Sequence, residues 1–429
     1  MVQNNLLERY EKVMFPAAAP YHKDNPIIVD RAKDQYLWDV DGKRYLDFFG
    51  GVLTVSVGHC NDEITQRTVE QLHKLQHTTT IYINEIMVRL AEKVVELTPP
   101  SLEKVYFTNS GTEANETAVM AARMYTQRPT IITLRHAYSG RSMLAMSLTA
   151  HGTWRLGGVV DPYIKHVRNP YTYRAPVDMT PDEVVELCVQ DLIETIETTT
   201  DGKIAAFMAE PIQGVGGFIV PPQDYFKRVE PIIRDAGGVI ISDEVQTGWG
   251  RTGGKWFGME QFDVEPDIMT FAKGMGNGSP IGCTVTTSAI ADAVQGLTFS
   301  TFGGNPVTMA TALATIEYME AHDVKTNASV MGAKLRESLE AFQAEFPFIG
   351  DVRGMGLMQA LEIVKTGTKD PDPLKTVAIM DTAKEHGLLL GKGGLYGNVV
   401  RISPHLNVSE ADMTQAIDIL TTTLIEVSS

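Results

Sequence analysis

Between residues 105 and 272 the chain alternates short apolar runs with longer segments of helical periodicity. The short runs are KVYFTN, TIITLR, AAFMAE, GVIISDE and DIMTFAK, and they show little alternation between apolar and polar positions. Such runs are typical of strands buried on both faces, as in a parallel sheet. Helical segments at 113–125, 180–197 and 225–236 would supply the right-handed crossovers between them. The pattern therefore predicts an α/β fold with a mostly parallel central sheet flanked by helices.

The two ends of the chain carry different patterns. Residues 36–49 form two alternating runs around Asp41-Gly42, a dipeptide that favours a β-hairpin. After about residue 305 the chain becomes helix-rich and then passes through short apolar runs to a last helix. A length of 429 residues also exceeds what a single core usually reaches. We expect a large domain over residues 56–325 and a smaller α/β domain that combines an N-terminal segment, 1–55, with a C-terminal segment, 326–429.

Charge and cysteine content narrow the classes of partner and compartment. The chain has 37 Lys and Arg against 53 Asp and Glu, a formal net charge of −16, which would repel a nucleic-acid backbone or an anionic membrane. Cys60, Cys188 and Cys283 lie far apart, so neither a CxxC zinc pattern nor a disulfide framework is available. The first residues resemble neither a signal nor a transit peptide, and no apolar run is long enough to span a membrane. We expect a cytosolic protein without nucleic-acid or membrane partners.

Five of the predicted strands end in polar or conformationally special residues. In an open α/β sheet, ligands bind outside the carboxyl ends of the strands, so these residues predict a binding site at one edge of the sheet. Each strand end would be a weak signal alone, and their concentration carries the prediction. They are Asn109–Thr112, His136–Tyr138, Glu210-Pro211, Asp243-Glu244 and Lys273-Gly274.

The residues Ser110, Gly111 and Thr112 lie between a predicted strand and the helix that follows it. Glycine lets the backbone approach a ligand closely, and a helix N-terminus favours an anion. A phosphate would therefore fit there. Ser and Thr also cap ordinary helices, so a plain N-cap is the alternative interpretation.

Lys273 ends an apolar strand and precedes a glycine-rich loop. A lysine buried at such a position must be paired, have a shifted pKa or be used covalently. Burial favours the neutral amine, which is the form that attacks a carbonyl carbon. The alternative is an exposed lysine just past the strand, which is the more usual environment of this residue type.

Three other polar residues fit chemistry on a flat aromatic ring. Asp243 could keep a pyridine nitrogen protonated, which makes the ring an electron sink, or it could cap a helix or pair with Arg251. Tyr138 could stack on the ring or be an ordinary core tyrosine. Arg401 could bind a carboxylate through both of its terminal nitrogens, or lie on the surface beside a strand.

Other motifs favour no additional chemistry. His73 and His77 are one helical turn apart, but Glu70 is the only acidic residue close by, so the pair does not indicate a metal site. The GxGxG pattern in GMGNGSPIG follows a lysine instead of opening a helix, so it does not indicate a nicotinamide site. GxSxG, HExxH and Walker A motifs do not occur.

Taken together, these motifs make the chain resemble the class III aminotransferases, a subgroup of the fold type I pyridoxal-phosphate enzymes. The resemblance rests on NSGTEAN, AEPIQGVGG, ISDEVQTGWGRTG, TFAKG and STFGGNP, which occur in this order. It extends over nearly the whole chain, from LWDVDGKRYLDFFGGV to RISPHLNV. It implies a fold type I architecture, pyridoxal phosphate as the cofactor and transfer of an amino group as the activity.

The resemblance also implies roles for individual residues. Lys273 matches the lysine that binds the cofactor as a Schiff base and moves the substrate proton, and Asp243 matches the partner of the pyridine nitrogen. Thr301 matches a threonine that reaches the phosphate of the neighbouring subunit, which implies a homodimer with shared sites, with a tetramer as the alternative. The other implied cofactor contacts are Ser110, Gly111 and Thr112 at the phosphate, Tyr138 and Val245 on the ring faces, Gln246 at the ring hydroxyl and Glu210 near Asp243.

One departure from the family pattern bears on the substrate. Family members that use glutamate, such as 4-aminobutyrate and ornithine aminotransferases, carry EPIQGEGG or EPIQGEAG, whose second glutamate pairs with the carboxylate-binding arginine. This chain has Val215 there, and Arg401 matches the arginine. The chain therefore looks most like the alanine–glyoxylate and ω-amino acid–pyruvate transaminases. Candidate pocket residues are Leu53, Tyr82 and Trp154, with Phe49 and Val52.

The expected reaction is a ping-pong transfer from an amino acid, ω-amino acid or amine to pyruvate or glyoxylate. The sequence leaves the amino donor open. Racemases, epimerases and amino-alcohol phosphate lyases share the scaffold and its cofactor residues, so they are the alternative enzyme class. A binding protein on the same scaffold would have no need of Lys273.

Overall fold

The computed structural model describes residues 2–18, 20–23, 25–158, 160–176 and 179–428. Its strands are β1 (Val29–Lys33), β2 (Tyr36–Asp39), β3 (Arg44–Asp47), β4 (Lys104–Thr108), β5 (Ile131–Leu134), β6 (Ile164–Val167), β7 (Ala206–Ala209), β8 (Val239–Asp243), β9 (Ile268–Phe271), β10 (Gly282–Thr286), β11 (Ile349–Met355), β12 (Met358–Ile363), β13 (Leu388–Leu389), β14 (Gly391–Gly393) and β15 (Val399–Ile402). Its helices are α1 (Val2–Val13), α2 (Gly50–Leu53), α3 (Asp62–Lys74), α4 (Glu85–Leu97), α5 (Gly111–Thr126), α6 (Met143–Leu148), α7 (Pro181–Thr199), α8 (Tyr225–Asp235), α9 (Ser288–Ala293), α10 (Pro306–Ala321), α11 (Val324–Glu345), α12 (Pro373–Glu385) and α13 (Glu410–Ser428).

A seven-stranded sheet in the order β4-β10-β9-β8-β7-β5-β6 forms the centre of the molecule. Neighbouring strands are parallel except at β10, which runs antiparallel to both β4 and β9. The five strands expected from the sequence correspond to β4, β5, β7, β8 and β9. The α/β fold class with a mostly parallel sheet is therefore confirmed, whereas β6 and β10 were not anticipated.

Both faces of this sheet are buried, which explains why its strands lack a polar alternation. Ile240 of β8 belongs to one apolar cluster with Leu192 of α7. The next residue, Ile241, belongs to a cluster on the other face with Val119 of α5. Because successive side chains of a strand point to opposite faces, a strand that serves both clusters carries apolar residues at consecutive positions.

The helices that flank the sheet begin where their sequence signals predict. Helix α7 starts at Pro181, and Thr180 caps it: the Thr180 hydroxyl accepts from the Glu183 N–H at 3.3 Å, and the Glu183 carboxylate accepts from the Thr180 N–H at 2.7 Å. This reciprocal pair satisfies two donors that a helix end leaves free. Helices α5 and α8 likewise fall within two residues of the predicted segments.

The two ends of the chain meet in the smaller sheets. Strands β2 and β3 form the hairpin predicted around Asp41-Gly42, and Gly42 takes the positive φ of +82° that such a turn requires. Strand β13 from the C-terminal region adds to β3 in parallel, and β11, β12, β15 and β14 form a third sheet. The boundaries expected at residues 55/56 and 325/326 remain a prediction.

A turn of left-handed helix follows β3, and the sequence did not indicate it. Gly50, Gly51, Val52 and Leu53 have φ of +56°, +58°, +66° and +57°. Left-handed backbone costs little for glycine but strains a β-branched residue such as Val52. The Asp47 carboxylate holds the start of the turn by accepting from the N–H groups of Phe49 and Gly50 at 3.0 and 2.9 Å.

The sequence leads to expectations about the cysteines and about membrane-spanning segments. Cys60, Cys188 and Cys283 are all free thiols, and the last two are buried. Among the helices of the described residues, none has both the length and the apolar character needed to cross a bilayer. The cytosolic location expected from the sequence remains a prediction.

Gly282 of β10 tests how tightly the antiparallel strand packs against β4. A Cβ at this position would lie 2.3 Å from both the Ser110 carbonyl oxygen and the Thr108 hydroxyl. Gly282→Ala should therefore lower the free energy of unfolding by about 1–3 kcal/mol, as overpacked sites do. Urea denaturation followed by circular dichroism measures the change.

Gly152→Ala is the matched control, because a Cβ there meets nothing within 4 Å and the residue lacks a positive φ. Its free energy of unfolding should stay within about 0.5 kcal/mol of the wild type. Equal stability of the two variants would show that β10 can shift to accommodate the methyl group.

Candidate active site

The structure brings the predicted polar strand ends to one edge of the central sheet. Strands β4, β9, β8, β7 and β5 all point the same way. Their carboxyl ends therefore place the following residues at one edge, at or shortly after the last strand residue: Ser110, Lys273, Asp243, Glu210 and Tyr138. Ligands bind at this edge in open α/β sheets. The arrangement predicted from the sequence is therefore present in the fold.

Lys273 lies deep in this site with an unusual backbone. Its φ is +43°, a left-handed value that is strained for a side chain of this size. Burial lowers the pKa of Lys273 to about 8, although the charges of Asp243 and Glu210 act to raise it and Arg401 acts to lower it further. Part of the residue stays accessible to solvent. A substantial neutral fraction near neutral pH makes this amine a nucleophile and a proton acceptor.

The Asp243 carboxylate is buried and held by two donors. One oxygen accepts from the Asn115 side-chain amide at 2.8 Å and the other from the Val245 N–H at 3.1 Å. Burial raises the pKa of Asp243, opposed by these hydrogen bonds and by Lys273. The alternative pairing with Arg251 is wrong, because Arg251 donates to the carbonyl oxygens of Leu357 and Pro404.

Asn115 is a site residue that the sequence analysis missed. Its amide donates to Asp243 and, at 2.9 Å, to the Ser139 carbonyl oxygen, while its own oxygen accepts from the Thr270 hydroxyl at 2.7 Å. The available signal was its position: an asparagine in the second turn of α5, on a face otherwise made of alanine and valine. A buried amide on such a face needs polar partners.

Glu210 holds two loops of the site together. Its carboxylate accepts from the N–H groups of Tyr138 at 3.0 Å and of Gly214 at 2.7 Å. Burial raises the pKa of Glu210, and the neighbouring Asp243 charge adds to the rise. Glu210 therefore fixes the backbone at Tyr138 and Gly214. Its charge also acts to raise the pKa of Lys273.

The first turn of α5 can accept an anion. Ser110 caps it, with its hydroxyl accepting from the Glu113 N–H at 3.4 Å, as the plain capping interpretation expects. Its role at a phosphate stays a prediction. The N–H groups of Gly111 and Thr112 have no carbonyl within the helix to bind. A Cβ on Gly111 would lie 3.1–3.2 Å from the methyl groups of Val245, so glycine permits the close approach.

Aromatic and amide groups lie beside this helix end. The Tyr138 ring meets Trp154 edge-on, with 5.7 Å between ring centroids and 76° between planes. The Gln246 side-chain oxygen is buried and has no hydrogen-bond partner among the described residues. A Cβ on Gly214 would lie 2.4 Å from the Gln246 amide, so this glycine makes room for it.

Arg401 of β15 is buried, with 3% of its surface exposed, so the surface alternative is wrong. It donates to the carbonyl oxygens of Lys392 at 3.1 Å and Gly214 at 3.4 Å, and its guanidinium lies 5.0 and 5.5 Å from the rings of Phe49 and Phe218. Within the described part of the chain no carboxylate forms a salt bridge with it. Burial lowers the pKa of Arg401. Its charge is available to an anionic ligand.

Two of the predicted site residues lie apart from this group in the single chain. Tyr82 and Thr301 are exposed to solvent. Leu53 is buried in an apolar cluster with Ile212 and Phe218, where it packs beside the ring that contacts Arg401. The single chain therefore assembles the Lys273 region but leaves Tyr82 and Thr301 on the surface.

These features fit pyridoxal phosphate. The group needs an amine for its aldehyde, a carboxylate for its pyridine nitrogen and donors for its phosphate. Lys273, Asp243 and the free N–H groups of α5 would supply them, and Gln246 offers an unpartnered side-chain oxygen.

Comparison with known proteins identifies relatives that align with nearly the whole chain. A family model described as aminotransferase class-III matches residues 17–424. Alanine–glyoxylate aminotransferase 2 homolog 2, mitochondrial, of Arabidopsis thaliana is 38% identical over 418 residues, which cover 96% of this chain and 86% of that protein. A leucine/methionine racemase of Thermococcus litoralis is 36% identical over 431 residues, which cover 97% of this chain and 94% of the racemase.

A solved structure agrees with the fold and the cofactor. An amine transaminase from an uncultivated Pseudomonas species, with pyridoxal phosphate bound, has a TM-score of 0.89 and 32% identity, and the match covers 96% of this chain and 98% of that one. The seven-stranded sheet with its smaller sheets is thus the fold type I architecture. The protein is an enzyme that belongs to the class III aminotransferases, with pyridoxal phosphate as its cofactor.

Proposed function

We propose that the enzyme moves an amino group from an amino acid, ω-amino acid or amine to pyruvate or glyoxylate in a ping-pong reaction. The observation that carries this proposal is the buried amine of Lys273, whose pKa is lowered toward neutrality beside the Asp243 carboxylate. Such an amine can bond a carbonyl carbon and, once released, can take up and return a proton. Transamination needs both abilities.

Each side chain of the site has a separate task in this proposal. The bound cofactor supplies an electron sink for the carbon that loses its proton. The Asp243 carboxylate, oriented by Asn115 and the Val245 N–H, keeps a proton on the pyridine nitrogen. The amine of Lys273 takes the proton from the donor carbon, holds it on Nζ and then gives it up again to complete the transfer. Arg401 orients the substrate through its carboxylate.

A racemase is the second candidate, because the relative from Thermococcus litoralis is one. The two reactions share proton removal by the lysine and differ in where the proton returns. Return of the proton to the opposite face of the same carbon would racemise the amino acid, whereas its permanent transfer away from that carbon would lead to a keto acid. L-alanine supplied without an acceptor therefore separates the two reactions.

Wild-type enzyme incubated with L-alanine alone should release about one pyruvate per active site, convert the cofactor to its aminated form and make no D-alanine. Lys273→Ala should lose steady-state transamination by at least about 10⁴-fold, because the base and the covalent attachment are both removed. Pyruvate release, chiral chromatography of alanine and the visible absorbance of lysine-bound cofactor are the measurements.

The exposed lysine variant Lys255→Ala serves as control and should match the wild type. D-alanine formed in excess of pyruvate would replace the transaminase proposal with the racemase. Full turnover by Lys273→Ala would remove this lysine from the mechanism.

The surroundings of Arg401 support a small keto acid as the acceptor. Its guanidinium binds backbone oxygens and aromatic rings, and the position next to Gly214 is Val215 instead of a glutamate. A substrate with one carboxylate satisfies this charge. The second carboxylate of 2-oxoglutarate would enter without a partner, and burying an unpaired charge is costly.

We expect kcat/KM for pyruvate or glyoxylate to exceed that for 2-oxoglutarate by at least about tenfold. Val215→Glu should raise the KM for pyruvate at least about tenfold, because the new carboxylate competes for Arg401. Val215→Gln, similar in size but neutral, should change this KM much less. Steady-state kinetics with the three acceptors tests the proposal, which fails if wild type prefers 2-oxoglutarate.

We also propose that the enzyme is a homodimer with sites shared between subunits. A cavity of about 540 Å³ is lined by Met87, Val88 and Phe107, and large exposed apolar residues occur close in sequence to its lining. Exposed apolar surface is typical of a protein interface. Thr301, which we expect to reach the phosphate of the neighbouring subunit, is exposed to solvent in the single chain. The exposed apolar residues in this part of the sequence are Ile81, Tyr82, Ile83, Leu297, Phe299 and Phe302.

Light scattering should give wild-type enzyme a mass of twice the 47.1 kDa of one chain. Ile83→Glu, at a position that is 88% exposed in the single chain, should shift the mass toward the monomer and weaken cofactor retention. Leu374→Glu changes an equally apolar residue that is 82% exposed on α12, and it should leave both unchanged. A fully active monomer would contradict the proposal of shared sites.

A further inference from the structure

Three residues from distant parts of the sequence meet beside the left-handed turn. Asp47 ends β3, His59 lies in the loop before α3, and His405 follows β15. One ligand atom from each lies within 4.8 Å of the others. The His59 Nε2 is 2.9 Å from the Asp47 Oδ2, and the His405 Nε2 is 3.7 Å from the same oxygen. The sequence did not indicate this cluster, because no two of its members are near neighbours in the chain.

His405 is the member of the cluster that indicates cation binding. The residue is fully buried, and neither of its ring nitrogens has a hydrogen-bond partner among the described residues. A separation of 3.7 Å from the Asp47 carboxylate is too long for a hydrogen bond. A buried imidazole with both nitrogens unsatisfied is costly, and native proteins rarely leave such groups without a partner. A cation between His405 and Asp47 would satisfy one nitrogen and the carboxylate together.

The protein already holds the cluster in place. The Asp47 Oδ1 accepts from the N–H groups of Phe49 and Gly50, which aims Oδ2 at the histidines. Backbone hydrogen bonds from Ser403 to Phe48 at 2.7 Å and from Leu406 to Ser56 at 2.6 Å join the three segments. The His59 side chain is 15% exposed, which leaves a route from solvent.

We propose that Asp47, His59 and His405 form a binding site for a divalent cation of the zinc class. Two imidazoles and one carboxylate are ligands that Zn²⁺ takes, with a fourth position left for water. Ligand atoms at about 2.0–2.2 Å from a tetrahedral zinc lie about 3.4 Å apart. The separations of 2.9 and 3.7 Å bracket this value, and the ligand atoms of the two histidines lie within 4.8 Å of each other. A bound zinc would replace the hydrogen bond between His59 and Asp47 and draw the three side chains slightly together.

The site would stabilise the turn that borders the Lys273 loop. Gly50 opens the turn, and a Cβ on it would lie 3.5 Å from the His405 ring. At the other end of the turn, the Leu53 carbonyl oxygen would lie 3.7 Å from a Cβ on Gly274. Arg251 is a buried positive charge near His405 that opposes an added dication. We therefore expect binding in the micromolar range, weaker than in closed structural zinc sites with four protein ligands.

The test uses the holoenzyme, treated with a chelator, dialysed and equilibrated with Zn²⁺ alone. After gel filtration, mass spectrometry should find about one zinc per chain. Co²⁺ in place of Zn²⁺ should give visible d–d bands to the red of the cofactor absorbance. Added Zn²⁺ should also raise the midpoint of thermal unfolding, because a ligand that binds only the folded state stabilises it.

His405→Phe keeps a buried aromatic ring and removes one ligand, so it should lose the bound zinc, the cobalt bands and the thermal shift. His59→Gln removes the partly exposed ligand and should give the same losses without disturbing the core. His386→Phe changes a histidine outside the cluster and should behave as the wild type. All variants carry the same cofactor, so metal held by the cofactor would appear equally in each.

Wild type that binds no zinc above His405→Phe and His59→Gln overturns the proposal. Zinc retained in full by both variants overturns it as well, because the metal then lies elsewhere. Since none of these readouts depends on turnover, their failure would leave the transaminase proposal untouched.

Discussion

The burial of Lys273 beside two buried carboxylates is the interaction on which the rest of the site depends. Ionised groups are costly to bury, and here each of the two acids is held by two N–H donors: Asp243 by Asn115 and Val245, Glu210 by Tyr138 and Gly214. Those donors come from α5, from the loop after β5 and from the segments after β7 and β8. Holding the charges therefore also positions the loops that line the site.

The unusual backbone nearby is likewise an energetic cost that surrounding contacts offset. Lys273 and the turn of Gly50–Leu53 both take left-handed φ values, which cost energy outside glycine. The strained backbone at Val52 is held in place by the Asp47 carboxylate at the start of the turn and by the packing of Leu53 against Phe218. Backbone strain persists only where surrounding contacts determine it, and both stretches lie at the functional edge of the sheet.

Much of the fold could be predicted from residue patterns. The mostly apolar strands, the Asp41-Gly42 hairpin and helix α7 all depend on local chemistry, and each lies where the pattern predicts it. Strand β10 could not be predicted in the same way, because its antiparallel position between β4 and β9 is decided by partners distant in sequence. The left-handed turn was missed for a similar reason, since Val52 disfavours that backbone and only tertiary contacts impose it.

By itself the sequence determined the class of fold, the residues at the strand ends and, through its motifs, the family and the cofactor. These depend on residue type and on spacing along the chain, which a sequence displays directly. Tertiary structure decided which groups share a charge environment: that Asn115 holds Asp243, that Arg251 does not, and that Arg401 is buried among aromatic rings without a carboxylate. It also gathered Asp47, His59 and His405 at one point. Distances, burial and charge pairing arise only when remote segments pack together, so no local pattern can display them.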